Sequence, residues 1–374
     1  MGEYCNYFGQ GLDLSVTENF LKLRPCCLYK DDTLIPLENA TKSSLLKDIQ
    51  SFLTNSSQKN YKQDACQTCI EQDESNMPSL RQKSFHYSRQ ESKIHSLTIE
   101  ADYRCNLACA MCNPQLSSTW YEQRRTHHAS GINFDKSKFV HNKDYRYTRE
   151  KIIDTVLNLD LSNLQWIKIT GGEPLYSDSH LYLLKGIMEK CDPSQITVNY
   201  TTNFSFVPTQ ETLGVWANFK CIEYSGSIDG TDEQFHFLRW PYKWNKLISN
   251  VEKIKAVCGS NTHFKIEHTF TPLNIFYLDK MMGFITDTMQ SNRFGHKTQF
   301  NLHRCFSSKL DLEYTPTKLR HLVYEKYGQQ HKVSKLLQNT PTTVNNALVP
   351  YLDAISKARK LDWRAIFKDV EQYF

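Results

Sequence analysis

The sequence lacks any apolar run of about 18 residues, the length that a helix needs to cross a membrane. Its first residues, MGEYCNYFGQGLD, have neither the basic start nor the apolar stretch of a signal peptide. They also match a myristoylation signal poorly, because Asn6 stands where Ser or Thr is required. We therefore expect a soluble, cytoplasmic protein that has no membrane partner.

A large charge surplus is missing as well. The 374 residues include 45 Lys and Arg against 40 Asp and Glu, which gives a formal net charge of +5. A surplus this small indicates at most a local basic surface, so it argues against a general polyanion binder. We expect no nucleic-acid partner.

Cysteine, by contrast, is abundant, with 12 in the chain. In a reducing compartment this number indicates metal sites or reactive thiols rather than disulfides. Most of the cysteines form two groups along the sequence, one before residue 70 and one at residues 105–112. We interpret the isolated ones as small buried hydrophobes, namely Cys191, Cys221, Cys258 and Cys305.

From residue 94 onward, strand-like segments alternate with helix-like ones. The six strand-like segments are IHSLTIEA, LQWIKIT, QITVNYTTN, CIEYSGSIDG, HFKIEHTFT and KTQFNLHRC. This alternation predicts an α/β fold whose parallel sheet curls into a partial (β/α)6 TIM-like barrel. Motif residues follow several of these strands, at the end where α/β barrels have their active sites.

Three domains are predicted. Residues 1–92 are polar and irregular, with one helix in SSLLKDIQSFL and the start of another in DACQTCIEQD. A region so poor in apolar segments needs something besides a core to hold it together, which a metal centre can supply. Residues 93–310 form the barrel, and residues 311–374 form a helical C-terminal extension. The basic, aromatic link at 120–147 is interpreted as a substrate-facing flap, with a mobile insertion or solvated surface as alternatives. An anionic substrate would meet its Arg124, Arg125, His127 and His128.

The segment RCNLACAMCN carries Cys105, Cys109 and Cys112 on one short loop, and no fourth cysteine follows nearby. A structural zinc site has four ligands, so zinc would need a distant fourth side chain. Three thiolates can instead hold a [4Fe–4S] cluster and leave one iron free to bind a small molecule. The spacing leaves both alternatives open and favours the cluster.

Motifs at the ends of the next three predicted strands can contact a ligand. In GGEP, two glycines let the backbone approach closely, and Glu173 offers an acceptor to an ammonium group. TTN ends the next strand, and SIDG ends the one after, where Ser227 and Asp229 offer partners to ribose hydroxyls or an amine. Each motif alone is typical of a turn, and their weight comes from their order behind the cysteines.

Together, these residues resemble the radical S-adenosylmethionine superfamily over about residues 94–305. The resemblance implies that the cysteine loop, residues 104–113, holds a [4Fe–4S] cluster through Cys105, Cys109 and Cys112. The sequence departs from the family at Phe204, which replaces the more usual glycine after TTN. The resemblance further implies that S-adenosylmethionine is bound by Met111 near the adenine, by Gly171, Gly172, Glu173 and Pro174 at the methionine amino group, by Asn203, by Ser227 and Asp229 at the ribose, and by Arg239 at the methionine carboxylate.

The resemblance also implies an activity. The chain would be an enzyme that cleaves S-adenosylmethionine reductively to a 5′-deoxyadenosyl radical, which abstracts hydrogen from a substrate. An external flavodoxin- or ferredoxin-like reductant would supply the electron. Oxidative modification of a peptide or protein residue is the first hypothesis, and a sugar- or nucleotide-like metabolite is the alternative substrate. A zinc-stapled nucleic-acid-binding protein is the alternative of another class, and the modest charge argues against it.

The N-terminal cysteines, Cys5, Cys26, Cys66 and Cys69, form the other group, with Cys27 as an alternative to Cys26. By residue type they fit a structural zinc ion or a second [4Fe–4S] cluster, and free thiols are the remaining alternative. Their order, with RPCC, CQTC and SLRQKSF, resembles the auxiliary iron–sulfur module called SPASM or twitch. That module usually follows the barrel and here would precede it. We expect a second [4Fe–4S] cluster.

Overall fold

A computed structural model describes residues 5–17, 19–58, 64–74, 79–84, 93–114, 116–132, 145–289, 295–305 and 308–374. Within these ranges, nine strands form one sheet. In chain order they are β1 (Gly11–Val16), β2 (Phe20–Arg24), β3 (Thr33–Pro36), β4 (Ser96–Asp102), β5 (Trp166–Gly171), β6 (Thr197–Thr202), β7 (Cys221–Ser227), β8 (Thr262–Phe270) and β9 (Gln299–Arg304). Their order across the sheet is β3-β2-β1-β4-β5-β6-β7-β8-β9.

Strands β4 to β9 are the six strands that the sequence predicts. The pairs β4–β5, β5–β6 and β8–β9 are parallel, which confirms the predicted α/β fold. Strand β8 shows why the alternation of apolar and polar residues predicts these strands. Its apolar Phe264 and Ile266 are buried, whereas Lys265 and Glu267 between them are partly exposed, because successive side chains of a strand face opposite sides.

The N-terminal region differs from the expectation of an irregular segment, because it contains three strands. Strand β1 pairs in parallel with β4 and places Leu12 opposite Leu97, and β2 and β3 continue the sheet with antiparallel pairing. The three strands have 6, 5 and 4 residues, which is too short for a periodic pattern to stand out. They are stable because they extend a sheet that already has several strands.

Helix α1 (Lys42–Ser57) confirms the helix predicted in the N-terminal region. Thr41 and Ser44 begin it with a reciprocal capping box. The later helices are α2 (Gln67–Glu74), α3 (Leu80–Ser84), α4 (Ser118–Glu122), α5 (Arg124–Ala129), α6 (Tyr145–Leu157), α7 (Ser179–Met188), α8 (Gln210–Trp216), α9 (Asp232–Leu238), α10 (Trp244–Val257), α11 (Leu278–Thr288), α12 (Thr317–Tyr327), α13 (Lys332–Gln338), α14 (Leu348–Arg359) and α15 (Trp363–Ile366). Helices α12 to α15 confirm the helical C-terminal extension. In the described ranges, no helix combines the length and the apolar character needed to cross a membrane.

The chain divides into two compact units. The first unit comprises Met1–Tyr103, Val140–Thr201 and Thr209–Glu223. The second comprises Arg104–Phe139, Thr202–Pro208 and Tyr224–Phe374. In the second unit, the C-terminal helices and the cysteine loop share one apolar core, whose members include Ala108, Ala110, Trp120, Phe237, Leu352, Ile355, Trp363 and Phe367.

Candidate functional site

The backbone of the cysteine loop is bound by side chains of the segment that follows it. The hydroxyls of Ser118 and Thr119 donate to the carbonyl of Cys105 at 3.1 and 2.6 Å. The indole N–H of Trp120 donates to the carbonyl of Cys109 at 3.0 Å. These hydrogen bonds fix the backbone of the loop.

Nitrogen donors approach two of the three sulfurs. The backbone amide of Leu107 lies 3.5 Å from the sulfur of Cys105, and Nδ2 of Asn203 lies 4.0 Å from it. Nη1 of Arg239 lies 3.7 Å from the sulfur of Cys109. N–H groups directed at sulfur stabilise the thiolate, which is the form that binds metals.

Burial, by contrast, opposes ionisation of these thiols. It raises the pKa of Cys109, and the Arg239 guanidinium partly offsets this. Burial, followed by repulsion from Cys109, raises the pKa of Cys112 to about 12. Such thiols lose their protons when a metal takes the proton's place. Three thiols of this kind fit a thiolate-ligated iron–sulfur cluster.

Asp229 and Arg239, which the sequence predicts at S-adenosylmethionine, form an ion pair. Nε and Nη2 of Arg239 lie 2.6 and 2.5 Å from Oδ2 of Asp229. The other carboxylate oxygen accepts a hydrogen bond from the amide of Thr269 at 2.8 Å, and Asp229 is 0% exposed. Because Arg239 also reaches the sulfur of Cys109, its guanidinium links this buried carboxylate to the cysteine loop.

Asn203 and Phe204 lie beside the same loop. Nδ2 of Asn203 donates to Oδ1 of Asn106 at 3.0 Å. Phe204 has a φ of 58°, in the left-handed region that glycine adopts most easily. Its ring is buried beside Gly226, where an added Cβ would lie 2.0 Å from the ring. The Tyr242 hydroxyl donates to the Phe204 carbonyl at 2.9 Å, so packing and hydrogen bonding hold the unusual backbone.

Ser227 and Met111 belong to the second unit as well. Ser227 ends β7 and is half-buried. Met111 is half-buried against the C-terminal core, and its carbonyl accepts a hydrogen bond from Ser308 at 3.1 Å. The second unit therefore contains the three loop cysteines and most of the predicted ligand contacts, namely Met111, Asn203, Ser227, Asp229 and Arg239.

The GGEP segment lies in the first unit, at the end of β5. Gly171 has a φ of +124°, which favours glycine, and Gly172 follows it partly exposed. Glu173 is 1% exposed, and its Oε1 accepts a hydrogen bond from the amide of Leu175 at 3.3 Å, which caps the 3₁₀ turn Pro174–Tyr176. The predicted contact of these residues with an amino group stays a prediction.

The N-terminal cysteines come from separate chain segments of the first unit. The amide of Lys30 donates to the carbonyl of Ala65 at 3.1 Å, which joins the segment of Cys26 to that of Cys66. Cys5, Cys26 and Cys66 pack against one small apolar cluster, made of Phe8, Tyr29 and Ala65. The structure therefore brings together three of the four predicted ligands around one cluster.

The fourth predicted ligand, Cys69, interacts electrostatically with Cys5 and Cys26. Burial raises the pKa of Cys26 well above its ordinary value, and the charges of Cys27, Cys5 and Cys69 raise it further. Burial also raises the pKa of Cys5, and repulsion from Cys69 adds to this. Cys27 itself is exposed and interacts with Lys168. Since Cys26 packs with Cys5 and Cys66, its placement favours Cys26 over Cys27 as the ligand.

The predicted flap at 120–147 lies partly outside the described residues, which omit 133–144. Its described part lies mainly in helices α4 and α5 and in the start of α6, instead of forming an irregular loop. His127 is 1% exposed and packs on Trp120 at 4.2 Å between ring centroids, so it does not face a substrate. Arg125 and His128 are exposed, whereas Arg124 lies over the ring of Tyr121 at 4.1 Å.

Two residues of α14 contact the cysteine loop, and neither is predicted from the sequence. The Tyr351 hydroxyl donates to the carbonyl of Ala110 at 2.7 Å, and the guanidinium of Arg359 donates to the carbonyl of Ala108. These partners are 241 and 251 positions apart in the sequence, and no local pattern connects them.

Neither cysteine group forms a ready-made metal site. In the described ranges, no group of three or more His, Cys, Asp or Glu side chains is arranged to hold a metal ion. Both cysteine groups therefore fit an iron–sulfur cluster by their donor atoms and by the proximity of their chain segments. Metal binding would have to bring the thiols closer together.

A family model described as Radical SAM superfamily matches residues 100–283. No curated protein matches the chain. The match favours radical chemistry over the zinc-stapled nucleic-acid-binding alternative, because it covers the cysteine loop and the GGEP and SIDG motifs together.

Several solved structures are similar to this chain. One is described as native anSMEcpe with bound AdoMet, with 16% identity, a TM-score of 0.38, and coverage of 67% of this chain and 63% of that one. Another is SuiB of Streptococcus suis bound to precursor peptide SuiA, with 13% identity, a TM-score of 0.37, and coverage of 93% and 74%. A third is coproporphyrinogen III oxidase HemN from Escherichia coli, described as a radical SAM enzyme, with 11% identity, a TM-score of 0.34, and coverage of 52% and 41%. The chain thus spans less than two thirds of the length of anSMEcpe.

Proposed function

We propose that this chain, whose residues 100–283 match the Radical SAM superfamily model, is an enzyme that cleaves S-adenosylmethionine reductively to modify a peptide or protein residue by oxidation. The observation that carries this proposal is the cysteine loop, with Cys105, Cys109 and Cys112 on one backbone that side chains hold in place. When bound there, a [4Fe–4S] cluster supplies the electron that splits the sulfonium C–S bond.

The residues around the loop would orient both cofactors. Cys105, Cys109 and Cys112 would ligate the cluster and leave one iron open. The Asp229–Arg239 pair keeps a cation beside Cys109, where it would also attract the methionine carboxylate. The remaining contacts are assigned to Met111 at the adenine, Gly171, Gly172, Glu173 and Pro174 at the amino group, and Asn203 and Ser227 along the ligand.

A second [4Fe–4S] cluster is proposed at Cys5, Cys26, Cys66 and Cys69. The packing of three of these thiols, Cys5, Cys26 and Cys66, around one apolar cluster supports it. Four thiolates would saturate this cluster, so it would carry electrons without binding substrate. Such a centre, held by these four cysteines, would supply an acceptor for the electron that a net oxidation of substrate releases. An external flavodoxin- or ferredoxin-like protein would deliver the initiating electron.

Anaerobic reconstitution with iron and sulfide tests both assignments. About eight irons per chain are expected for two clusters, and about four for one. Dithionite should then release 5′-deoxyadenosine from S-adenosylmethionine in the wild type and not in Cys109→Ala. A colourless, zinc-containing preparation would contradict the proposal. Deuterium transfer into 5′-deoxyadenosine from a panel of labelled peptides and sugar or nucleotide metabolites would decide the substrate class.

A further inference from the structure

Arg359 is a buried cation in the described part of the chain that has no carboxylate beside it. It is 5% exposed and ends helix α14. Its guanidinium donates to the backbone carbonyls of Phe237 and Ala108. Burial lowers the pKa of Arg359 to about 10, and the neighbouring Tyr351 and Cys109 partly offset this.

The immediate surroundings offset only part of the cost of burying this charge. The guanidinium carbon lies 5.5 Å from the ring centroid of Trp120 and 5.7 Å from that of Trp240, so both aromatic faces attract it. The C-terminus of α14 adds a partial negative charge. A buried cation normally requires a full opposite charge nearby, and none of these contacts provides one.

The same helix face approaches the cysteine loop at a second point. The Tyr351 hydroxyl donates to the carbonyl of Ala110 at 2.7 Å. Tyr351, Ile355 and Arg359 are spaced four residues apart, so they lie along one side of α14. Ile355 between them is 0% exposed. Helix α14 therefore binds two carbonyls of the loop, one on each side of Cys109.

We propose that Tyr351 and Arg359 are positioning residues for the cluster-binding loop, and that the charge of Arg359 compensates the negative charge of a thiolate-ligated cluster. This inference rests on the proposed function. Reduction adds one electron to the cluster, so a cation fixed at the loop stabilises the reduced state more than the oxidised state and raises the reduction potential. The C-terminal extension, which lies outside the matched residues 100–283, thereby becomes part of the radical machinery.

Four variants of the full chain separate charge from hydrogen bonding. Arg359→Met removes both, Arg359→Lys keeps the charge, and Tyr351→Phe removes only one hydrogen bond. Arg364→Met is the matched control, because Arg364 forms an exposed ion pair with Asp353 in the same extension. After anaerobic reconstitution, the reduction potential is measured by electron paramagnetic resonance titration, and iron loss is measured with a chelator.

We expect Arg359→Met to shift the potential of the S-adenosylmethionine-binding cluster to a more negative value and to lose iron about tenfold faster. Arg359→Lys should keep a potential near that of the wild type, and Tyr351→Phe should change iron loss without changing the potential. Arg364→Met should match the wild type in both. An unchanged potential and unchanged iron retention in Arg359→Met would overturn the inference.

Amide hydrogen exchange of the iron-free chains keeps the inference testable if a variant folds poorly or the wild type takes up no iron. Faster exchange confined to residues 107–112 is expected in Tyr351→Phe and Arg359→Lys, since each loses a bond to the loop. Equal exchange in these variants and the wild type would contradict the positioning role. A wild type that binds no iron would instead refute the proposed function, and the exchange result would still decide the role of α14 at the loop.

Discussion

The cysteine loop and the N-terminal cysteines differ in how the protein holds them. The loop places Cys105, Cys109 and Cys112 within eight positions, and side chains from the next helix and from α14 bind its carbonyls. Of the N-terminal cysteines, Cys5, Cys26 and Cys66 come from separate segments that pack on an apolar cluster with three buried members in the described ranges. The fold thus fixes the backbone of the cysteine loop, whereas the segments of the N-terminal cysteines need an additional cross-link to hold them together.

A bound metal would therefore contribute differently at each of the two sites. At the loop, a cluster would add chemistry to a backbone that is already fixed. Among the N-terminal cysteines, a cluster would add cross-links between segments with little core of their own, so its binding free energy would also be folding free energy.

Cys109→Ala should reduce 5′-deoxyadenosine formation at least about 100-fold, because the loop would lose one of three cluster ligands. Its thermal unfolding should stay close to that of the wild type, since the backbone bonds of the loop remain. Product analysis by liquid chromatography and circular dichroism check the two expectations. Cys191→Ala, at an isolated cysteine, should keep full activity, and a Cys109→Ala chain that unfolds early would break the contrast.

Cys69→Ala should lower the iron content from about eight to about four per chain and make the N-terminal region more sensitive to proteases. Cys69 is 6% exposed, so its thiol is available only to an internal partner. The iron assay and limited proteolysis measure the effect. Cys27→Ala is the control, because Cys27 is exposed, and loss of iron in that variant would show that the ligand is Cys27 rather than Cys26.

Asp229→Asn should destabilise the second unit by about 3 kcal/mol, because it leaves the largely buried Arg239 without its full counter-charge. Urea unfolding of the iron-free chain without S-adenosylmethionine measures this cost apart from any role in ligand binding. Asp353→Asn removes an exposed ion pair and should cost less than about 1 kcal/mol. Equal effects of the two substitutions would argue against a special role for the buried pair.

Low pH should destabilise both compact units, because each contains a buried histidine that is neutral in the folded chain. Burial lowers the pKa of His95 and of His127 to about 4. As the pH falls below about 6.5, these histidines become protonated in the unfolded chain while they stay neutral in the folded chain. The free energy of unfolding therefore decreases between about pH 6.5 and pH 4, by about 1–3 kcal/mol for each histidine. His95→Phe and His127→Phe should flatten the dependence of urea unfolding on pH. A variant whose pH dependence stays as steep as that of the wild type would show that its histidine is not the titrating group.

Strands β4 to β9 and the cysteine loop could be predicted, because each produces a local pattern. Strand alternation, a CxxxCxxC spacing and motifs at strand ends are all visible within a few residues. Strands β1 to β3 could not be predicted, because each is too short to show an alternation of apolar and polar residues. Each is stabilised by the neighbouring strands of the sheet. His127 was expected to face a substrate, but it is packed against Trp120, since sequence alone does not show which side of a short helix is covered.

The residues that bind the cysteine loop could not be predicted from the sequence for a different reason. Tyr351 and Arg359 lie in the C-terminal extension, and their contacts with Ala110 and Ala108 exist only after the chain has folded. The predicted contacts of GGEP and SIDG with S-adenosylmethionine remain predictions, whereas the pairing of Asp229 with Arg239 became visible only in three dimensions.

Phe204 and Gly226 have a consequence for how this sequence can change. The aromatic ring at 204 occupies the volume that a side chain at 226 would need. A mutation at 226 would therefore be harmful while the ring is present and acceptable once it is gone. Substituting glycine at 204 would relax the backbone and open a hole at the same time, so the two positions are epistatic and an engineer would have to vary them jointly.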